Sequence, residues 1–346
     1  MIKAKAYGVK DNKAQFQPMQ IERREPKPDD VVIEIAYSGI CHSDIHTARG
    51  EWAGTKYPCV PGHEIVGHVV AVGKKVRKFK LGEPVGVGCF VDSCGKCDPC
   101  KNNEEQFCEK GTTYTYNSPL KEAGYTFGGY SSHITVKQDY VLKIKKGLPL
   151  DKIAPLLCAG ITTYSPLKRY GAKKGKKVGV VGLGGLGHMA VKIAKAMGAE
   201  VTVFSTSPGK AADAKKLGAK HFVYSKEAEN FAALAKKFDL IINSVSASHN
   251  LTPYLSILKI DGTMVLLGVP PEQSQVAAGA LIAGRKRLTG SLIGGIKETQ
   301  EMLNFCASKK VFSEIELIDA SEINKAYDRT VSGDVKYRFV IDAKTF

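Results

Sequence analysis

The 346-residue sequence predicts an α/β protein of two domains, one a doubly wound parallel sheet and the other mainly β. Three observations carry this. Short apolar strands alternate with helical stretches between residues 178 and 293. The first of those strands runs into a glycine turn, Gly182-Leu183-Gly184-Gly185-Leu186-Gly187, that opens a helix. The first 150 residues read instead as strands punctuated by Pro, Gly and Asp. The expected division is 1–152, 153–293 and 294–346, the last segment returning to the first domain.

Composition narrows the class. A hydrophobic content of 43% with 24% charged residues excludes a disordered or fibrous chain. No apolar run approaches the ~20 residues of a membrane span, and Met1-Ile2-Lys3 leads straight into strand-like sequence, so a cytoplasmic protein is expected. The net charge of +16 raises nucleic acid as a partner. Its lysines are scattered, as at Lys74-Lys75 and Lys215-Lys216, and no stretch alternates them with aromatic residues. Neither nucleic acid nor membrane is therefore expected as a partner.

Taken in order, Ala4 to Val9 and Val31 to Tyr37 are strands, separated by the Pro26-Lys27-Pro28-Asp29-Asp30 break. Gly39-Ile40-Cys41-His42-Ser43-Asp44-Ile45-His46 follows, on a loop or the first turn of a helix. It packs a thiol, a hydroxyl, a carboxylate and two imidazoles into eight residues. Such groups can hold a soft metal, orient a metal-bound imidazole and pass protons. Pro61-Gly62-His63-Glu64 then stands at the start of an apolar strand, where a lone histidine is more often structural than ligating.

Nine cysteines without a secretion signal point to metal ligation more than to disulfides. Cys94, Cys97, Cys100 and Cys108 have the spacing of a closed tetrahedral zinc site, which is structural in character. An iron–sulfur cluster and disulfides are the competing readings. Cys59, Cys89 and Cys306 read as small packed side chains. After the strands His133 to Val136 and Tyr140 to Ile144, the stretch Ala154 to Tyr164 reads as the start of a helix carrying Cys158, which alone would be a buried thiol.

The strand Val178 to Val181, the glycine turn, a helix from His188 to Met197 and the strand Val201 to Phe204 make one βαβ unit within about 30 residues, the context of a dinucleotide-binding turn. Its glycines let a pyrophosphate approach the backbone, and the helix N-terminus favours the negative charge. Further strands are expected at His221 to Tyr224, Leu240 to Ile242, Met264 to Leu267 and Leu288 to Ile293, with helices at Ala211 to Leu217, Ala228 to Lys237, Thr299 to Ser308 and Ser321 to Thr330 and a last strand Tyr337 to Ile341. Where an NAD-binding fold places Asp or Glu after its second strand, this chain has Ser205-Thr206-Ser207-Pro208-Gly209-Lys210. Hydroxyls and a lysine can bind a 2′-phosphate that a carboxylate would repel, so NADP(H) is expected over NAD(H).

Together these residues resemble the zinc-dependent medium-chain alcohol dehydrogenases, and within them the cinnamyl alcohol dehydrogenase branch. The resemblance spans essentially the whole chain and includes Gly128-Gly129-Tyr130-Ser131, Pro155 to Gly160 and Tyr337 to Asp342. It implies a GroES-like catalytic domain with a Rossmann domain, and an enzyme interconverting primary alcohols and aldehydes, aromatic or allylic ones included. Polyol or formaldehyde dehydrogenation in the same superfamily is the alternative, and a non-catalytic binding protein is disfavoured because every ligand position is filled. It implies two zinc ions per subunit: a catalytic one on Cys41, His63 and Cys158, with Glu64 beside it, and a structural one on the four-cysteine loop. Asp44 would orient His63, and Ser43 and His46 would relay the proton. Thr162, Ser244, Gly268 and Ser291-Leu292-Ile293 would surround the cofactor, with Trp52, Tyr114 and Leu292 lining the substrate pocket. Plant members commonly carry Phe at Leu292 and Trp at Tyr114, which suggests a broader aldehyde reductase here. A homodimer is expected, paired at the sheet edge near Leu288 to Ile293.

Overall fold

The computed structural model describes residues 1–120 and 124–346 and contains two compact units, Met1–Cys158 with Gly294–Phe346, and Ala159–Ile293. The first boundary thus falls after Cys158, where the sequence reading divided the chain after Lys152. Among the described residues no helix is long and apolar enough to cross a membrane.

The first unit is built on β1 (Asp30–Gly39), whose ten residues run through the middle of a mixed sheet. It pairs antiparallel with β2 (Ile65–Val72), with His133–Lys137 and with Arg338–Asp342, the last bringing the C-terminal segment into the sheet. Val31, Ile33 and Ile65 are fully buried, as strands covered on both faces require. The register places two chemical positions at the ends of these strands. β1 ends at Gly39 and gives way to the short helix α1 (His42–Ala48), and β2 begins one residue after Glu64. Ile40, Ile45, Val60, Tyr130, Tyr327 and Phe339 form the apolar cluster on which this corner rests. A separate antiparallel pair, Phe90–Asp92 with Thr113–Tyr114, closes the base of the loop that carries the four neighbouring cysteines.

The second unit is a six-stranded, wholly parallel sheet. Its order is His221–Tyr224, Glu200–Ser205, Lys177–Val181, Phe238–Asn243, Leu258–Leu266 and Arg287–Gly290. The chain reverses direction of travel across the sheet on either side of β3 (Lys177–Val181), so the glycine turn that follows β3 sits at the topological switch point where such sheets bind ligands. Phe204, Phe238, Ile241, Leu255 and Met264 fill the core.

Several expected elements differ. The helix expected over Ala228 to Lys237 spans only Ala228–Ala232, since the next turns are tight and Lys236 takes a positive φ of 56°. The edge strand stops at Gly290, leaving Ser291 to Ile293 as an irregular connection. Cys158 is not inside a helix: it lies at the joint between a 3₁₀ turn, Ala154–Leu157, and the helix Ala159–Arg169, with φ −126° and ψ −69°. Leaving the helical path there aims its side chain differently from a helical neighbour's.

Candidate active site and metal centres

Cys41, His63, Glu64 and Cys158 converge in the first unit, each offering one donor atom within 4.8 Å of the others. The Sγ atoms of Cys41 and Cys158 are 4.0 Å apart. A tetrahedron with metal–sulfur bonds of ~2.3 Å has edges of roughly 3.8 Å, so the spacing suits zinc. A second observation favours a cation. Glu64 is completely buried; Arg338 donates to its Oε1 while Oε2 has no hydrogen-bond partner among the described residues. Burial pushes this carboxyl up to about 8 against the opposing charge of Arg338. A divalent cation among these donors would hold it ionised.

The histidine is fixed from behind. Asp44, fully buried, accepts from His63 Nδ1 at 3.0 Å and from the Gly62 N–H at 3.1 Å through Oδ1, and from the Cys41 N–H at 2.9 Å through Oδ2. Because a carboxylate only accepts, Nδ1 carries the proton and Nε2 is left to ligate. Burial works against the imidazolium, but Asp44 and the Cys89 thiol overcome it and hold His63 well above the usual histidine range. A hydrogen bond from the Cys158 thiol pulls Cys41 well down, and the same bond pushes Cys158 well up.

Ser43 lies with Oγ 3.6 Å from Cys41 Sγ. His46, one turn along α1, places Nδ1 2.5 Å from Glu51 Oε2 and stacks on Trp52 at 5.1 Å between centroids and 25° between planes. Trp52 is half exposed. Tyr116 leans on His63, with ring centroids 5.7 Å apart. Tyr114 and Leu292, expected in the substrate pocket, are both exposed.

In the four-cysteine loop Cys94 and Cys100 are 3.9 Å apart, as are Cys97 and Cys108, with all four sulfurs within 4.8 Å. These are again tetrahedral edges, too short to enclose a cluster of several irons. The backbone N–H groups of Lys96 and Cys97 pull the Cys94 thiol down to about 6, whereas burial pushes Cys100 up to about 11.

In the second unit the glycine turn links β3 to α2 (Gly185–Ala196). Gly182 has φ +87°, and a Cβ there would lie 2.7 Å from Val245. A Cβ on Gly187 would lie 2.1 Å from the Gly182 carbonyl oxygen, so helix and strand can close only on glycine. Nothing lies within 4 Å of a Cβ built on Gly184, which leaves room for a pyrophosphate beside Leu183, Gly185 and Leu186 at the head of α2. Ser244 Oγ donates to the Val181 carbonyl behind the turn. At the end of the next strand Ser205 is buried, its Oγ accepting from the Ser207 N–H at 3.1 Å, while Thr206 and Ser207 are exposed. Lys210 bends back over the turn to donate to the Leu183 carbonyl at 3.1 Å. Gly268 packs against the Val245 carbonyl, and Thr162 is buried in the Ala159–Arg169 helix. Ser291 and Leu292 are at least partly open, and Ile293 takes a φ of +29°, a strained value for a β-branched residue.

Sequence reasoning missed several neighbours. Arg338 reaches Glu64 across 274 residues of chain. Cys89, expected only as a packed side chain, bonds to the Leu157 carbonyl and to Cys158 beside the metal ligands. Glu51, five residues after His46, had no pattern to mark it, since one charged residue in a loop is ordinary.

Residues 27–146 match the alcohol dehydrogenase GroES-like domain family, and residues 185–308 match the zinc-binding dehydrogenase family. The chain is similar to the aldehyde reductase YahK of Escherichia coli strain K12, 56% identical over 99% of each chain. It is similar in structure to a cinnamyl alcohol dehydrogenase, SbCAD4, of Sorghum bicolor: TM-score 0.96, 43% identity, covering 99% of this chain and 98% of that one. The CAD of Helicobacter pylori complexed with NADP(H) superposes with a TM-score of 0.93 at 45% identity, over 99% of both chains.

Proposed function

Given that the chain belongs to the zinc-dependent medium-chain alcohol dehydrogenase superfamily, we propose that Cys41, His63 and Cys158 hold its catalytic zinc and that Glu64 is an alternative donor. The protein is an NADP-dependent oxidoreductase that interconverts alcohols and aldehydes. The observation that carries the residue assignment is the convergence of two thiols, an imidazole and a half-unsatisfied carboxylate in one buried cluster.

When bound, zinc supplies a Lewis acid to the carbonyl oxygen and NADP(H) supplies or accepts the hydride. The chain's own residues do the rest. Cys41 and Cys158 supply negative charge, and Asp44 fixes the His63 tautomer. Ser43 donates a hydrogen bond to the oxygen on which charge develops. His46, with Nδ1–H held by Glu51 and its ring face on Trp52, exchanges the proton with solvent through Nε2. Gly182 to Gly187 seat the pyrophosphate, and Ser205, Thr206, Ser207 and Lys210 take the 2′-phosphate. Thr162, Ser244, Gly268 and Ser291 to Ile293 line the rest of the dinucleotide site. The four-cysteine loop holds the structural zinc.

The substrates are primary aromatic and allylic aldehydes and their alcohols, with Trp52, Tyr114 and Leu292 shaping breadth. Two further readings complete the proposal. None of the nine cysteines is joined in a disulfide, which suits the reducing cytoplasm. Arg287–Gly290 is an edge strand with exposed Ile282 and Val269 in neighbouring segments, which suits a homodimer that covers the edge. Turnover of cinnamaldehyde, benzaldehyde, formaldehyde and polyols with NADPH and NADH tests the reading. Highest kcat/KM on the aromatic aldehydes with NADPH supports it. A preference for NADH, or for formaldehyde or polyols, overturns the cofactor or substrate assignment, and Ser205→Asp is expected to move the preference toward NADH.

A further inference from the structure

The Gly128-Gly129-Tyr130-Ser131 motif has no part in the chemistry above, yet it ends on the metal site. Tyr130 is fully buried and donates from its hydroxyl to Asp44 Oδ2 at 3.3 Å. Tyr327, on the helix Ile323–Ser332, donates in turn to the Tyr130 hydroxyl at 3.2 Å. Phe16 packs on both rings, at 5.9 Å and 4.9 Å between centroids.

The motif is itself held rigidly. Arg23, buried and without a carboxylate partner among the described residues, donates to the carbonyls of Phe127, Gly128 and His133 and to Ser131 Oγ. Gly62, with φ +105°, lets the Tyr130 ring approach: a Cβ there would stand 2.6 Å from Tyr130 Cδ1. The same Gly62 gives its N–H to Asp44. A continuous path of contacts therefore runs from Arg23 through Tyr130 to Asp44 and His63.

We propose that Tyr130, backed by Tyr327, is a positioning residue for the metal centre: the two hydroxyls fix the Asp44 rotamer that presents Oδ1 to His63 Nδ1. The inference rests on the proposed zinc ligation by Cys41, His63 and Cys158. Among the described residues Oδ2 otherwise accepts only the Cys41 N–H, so without the phenol the carboxylate loses one of these two bonds on that oxygen and gains freedom to rotate. Partners of this kind are worth about 10- to 100-fold in metal affinity when they touch the ligand directly; one shell further out, the lower end applies.

The test uses full-length protein loaded with Co(II), read by its visible spectrum and by the rate of metal transfer to a chelator. Bands lost in Cys158→Ser belong to this centre, and a Cys158→Ser spectrum identical to wild type would overturn the ligand assignment and the inference with it. With those bands assigned, Tyr130→Phe is expected to shift them and to speed metal release about tenfold, with the structural metal retained. Tyr327→Phe is expected to do less in the same direction. The double variant is expected to release metal no faster than Tyr130→Phe alone, because Tyr327 reaches Asp44 only through Tyr130. A Tyr130→Phe protein that melts earlier but keeps the wild-type bands and release rate overturns the proposal. Should Tyr130→Phe fail to fold, wild-type release from Tyr327→Phe overturns it instead.

Discussion

The two cysteine clusters of the first unit differ in how they are made. The four-cysteine loop draws all its donors from residues 94 to 108, uses one donor type, and is closed at its base by a two-stranded pair. The other cluster gathers Cys41, His63, Glu64 and Cys158 from a strand end, a strand start and a helix joint. It adds two carboxylates and an arginine that the loop has no use for. A loop that closes on itself can saturate a metal and brace the fold. Donors fixed by a sheet and a core can leave a coordination position open and tune what binds there, at the cost of depending on the whole unit.

The largest effect that could break this contrast is in activity. His63→Gln is expected to lower kcat/KM by about 10³-fold or more, the several kcal/mol of charge stabilisation a metal supplies, with little change in melting temperature. A large drop in melting temperature would show that this cluster also braces the fold. Cys97→Ser is expected to do the reverse: one zinc lost per chain by metal analysis, and destabilisation of about 2–4 kcal/mol, seen as roughly 5–15 °C in calorimetry. Asp44→Asn is expected to cost 10- to 100-fold in metal affinity or kcat/KM, since it leaves the ligands in place but frees the imidazole. The smallest change is in reactivity alone. In chelator-treated protein at pH 7, alkylation mapped by mass spectrometry is expected to mark Cys94 before Cys100, because Cys94 is drawn down to about 6 and Cys100 pushed up to about 11. Lowering the pH below 6 protonates Cys94 and slows its modification; equal rates for the two thiols would erase the local asymmetry.

The same difference explains what was legible in the sequence. The glycine turn and the four-cysteine loop are contiguous, so spacing alone exposes them. Lys177–Val181, Gly185–Ala196 and Glu200–Ser205 formed close to where periodicity put them, because each buries an unbroken apolar face. Cys158 was misplaced within a helix because nothing in Ala154 to Tyr164 marks the joint that turns it. Arg338 could not be paired with Glu64, since antiparallel pairing of the last strand with β1 is a tertiary outcome. Tyr130 was visible as part of a motif, but its task depends on Gly62 and Arg23 lying against it.

The sheet's use of its last strand has a temporal side. A chain made from its N-terminus presents Cys94 to Cys108 long before Cys158, and Cys158 long before Arg338. The loop can take up metal while the nascent sheet still lacks Arg338–Asp342. Glu64, whose charge Arg338 compensates, waits for nearly the whole chain to be made. Synthesis thus brings the four cysteines of the loop together first and Arg338 to Glu64 last, so a truncated product keeps the loop and lacks the Glu64–Arg338 pair.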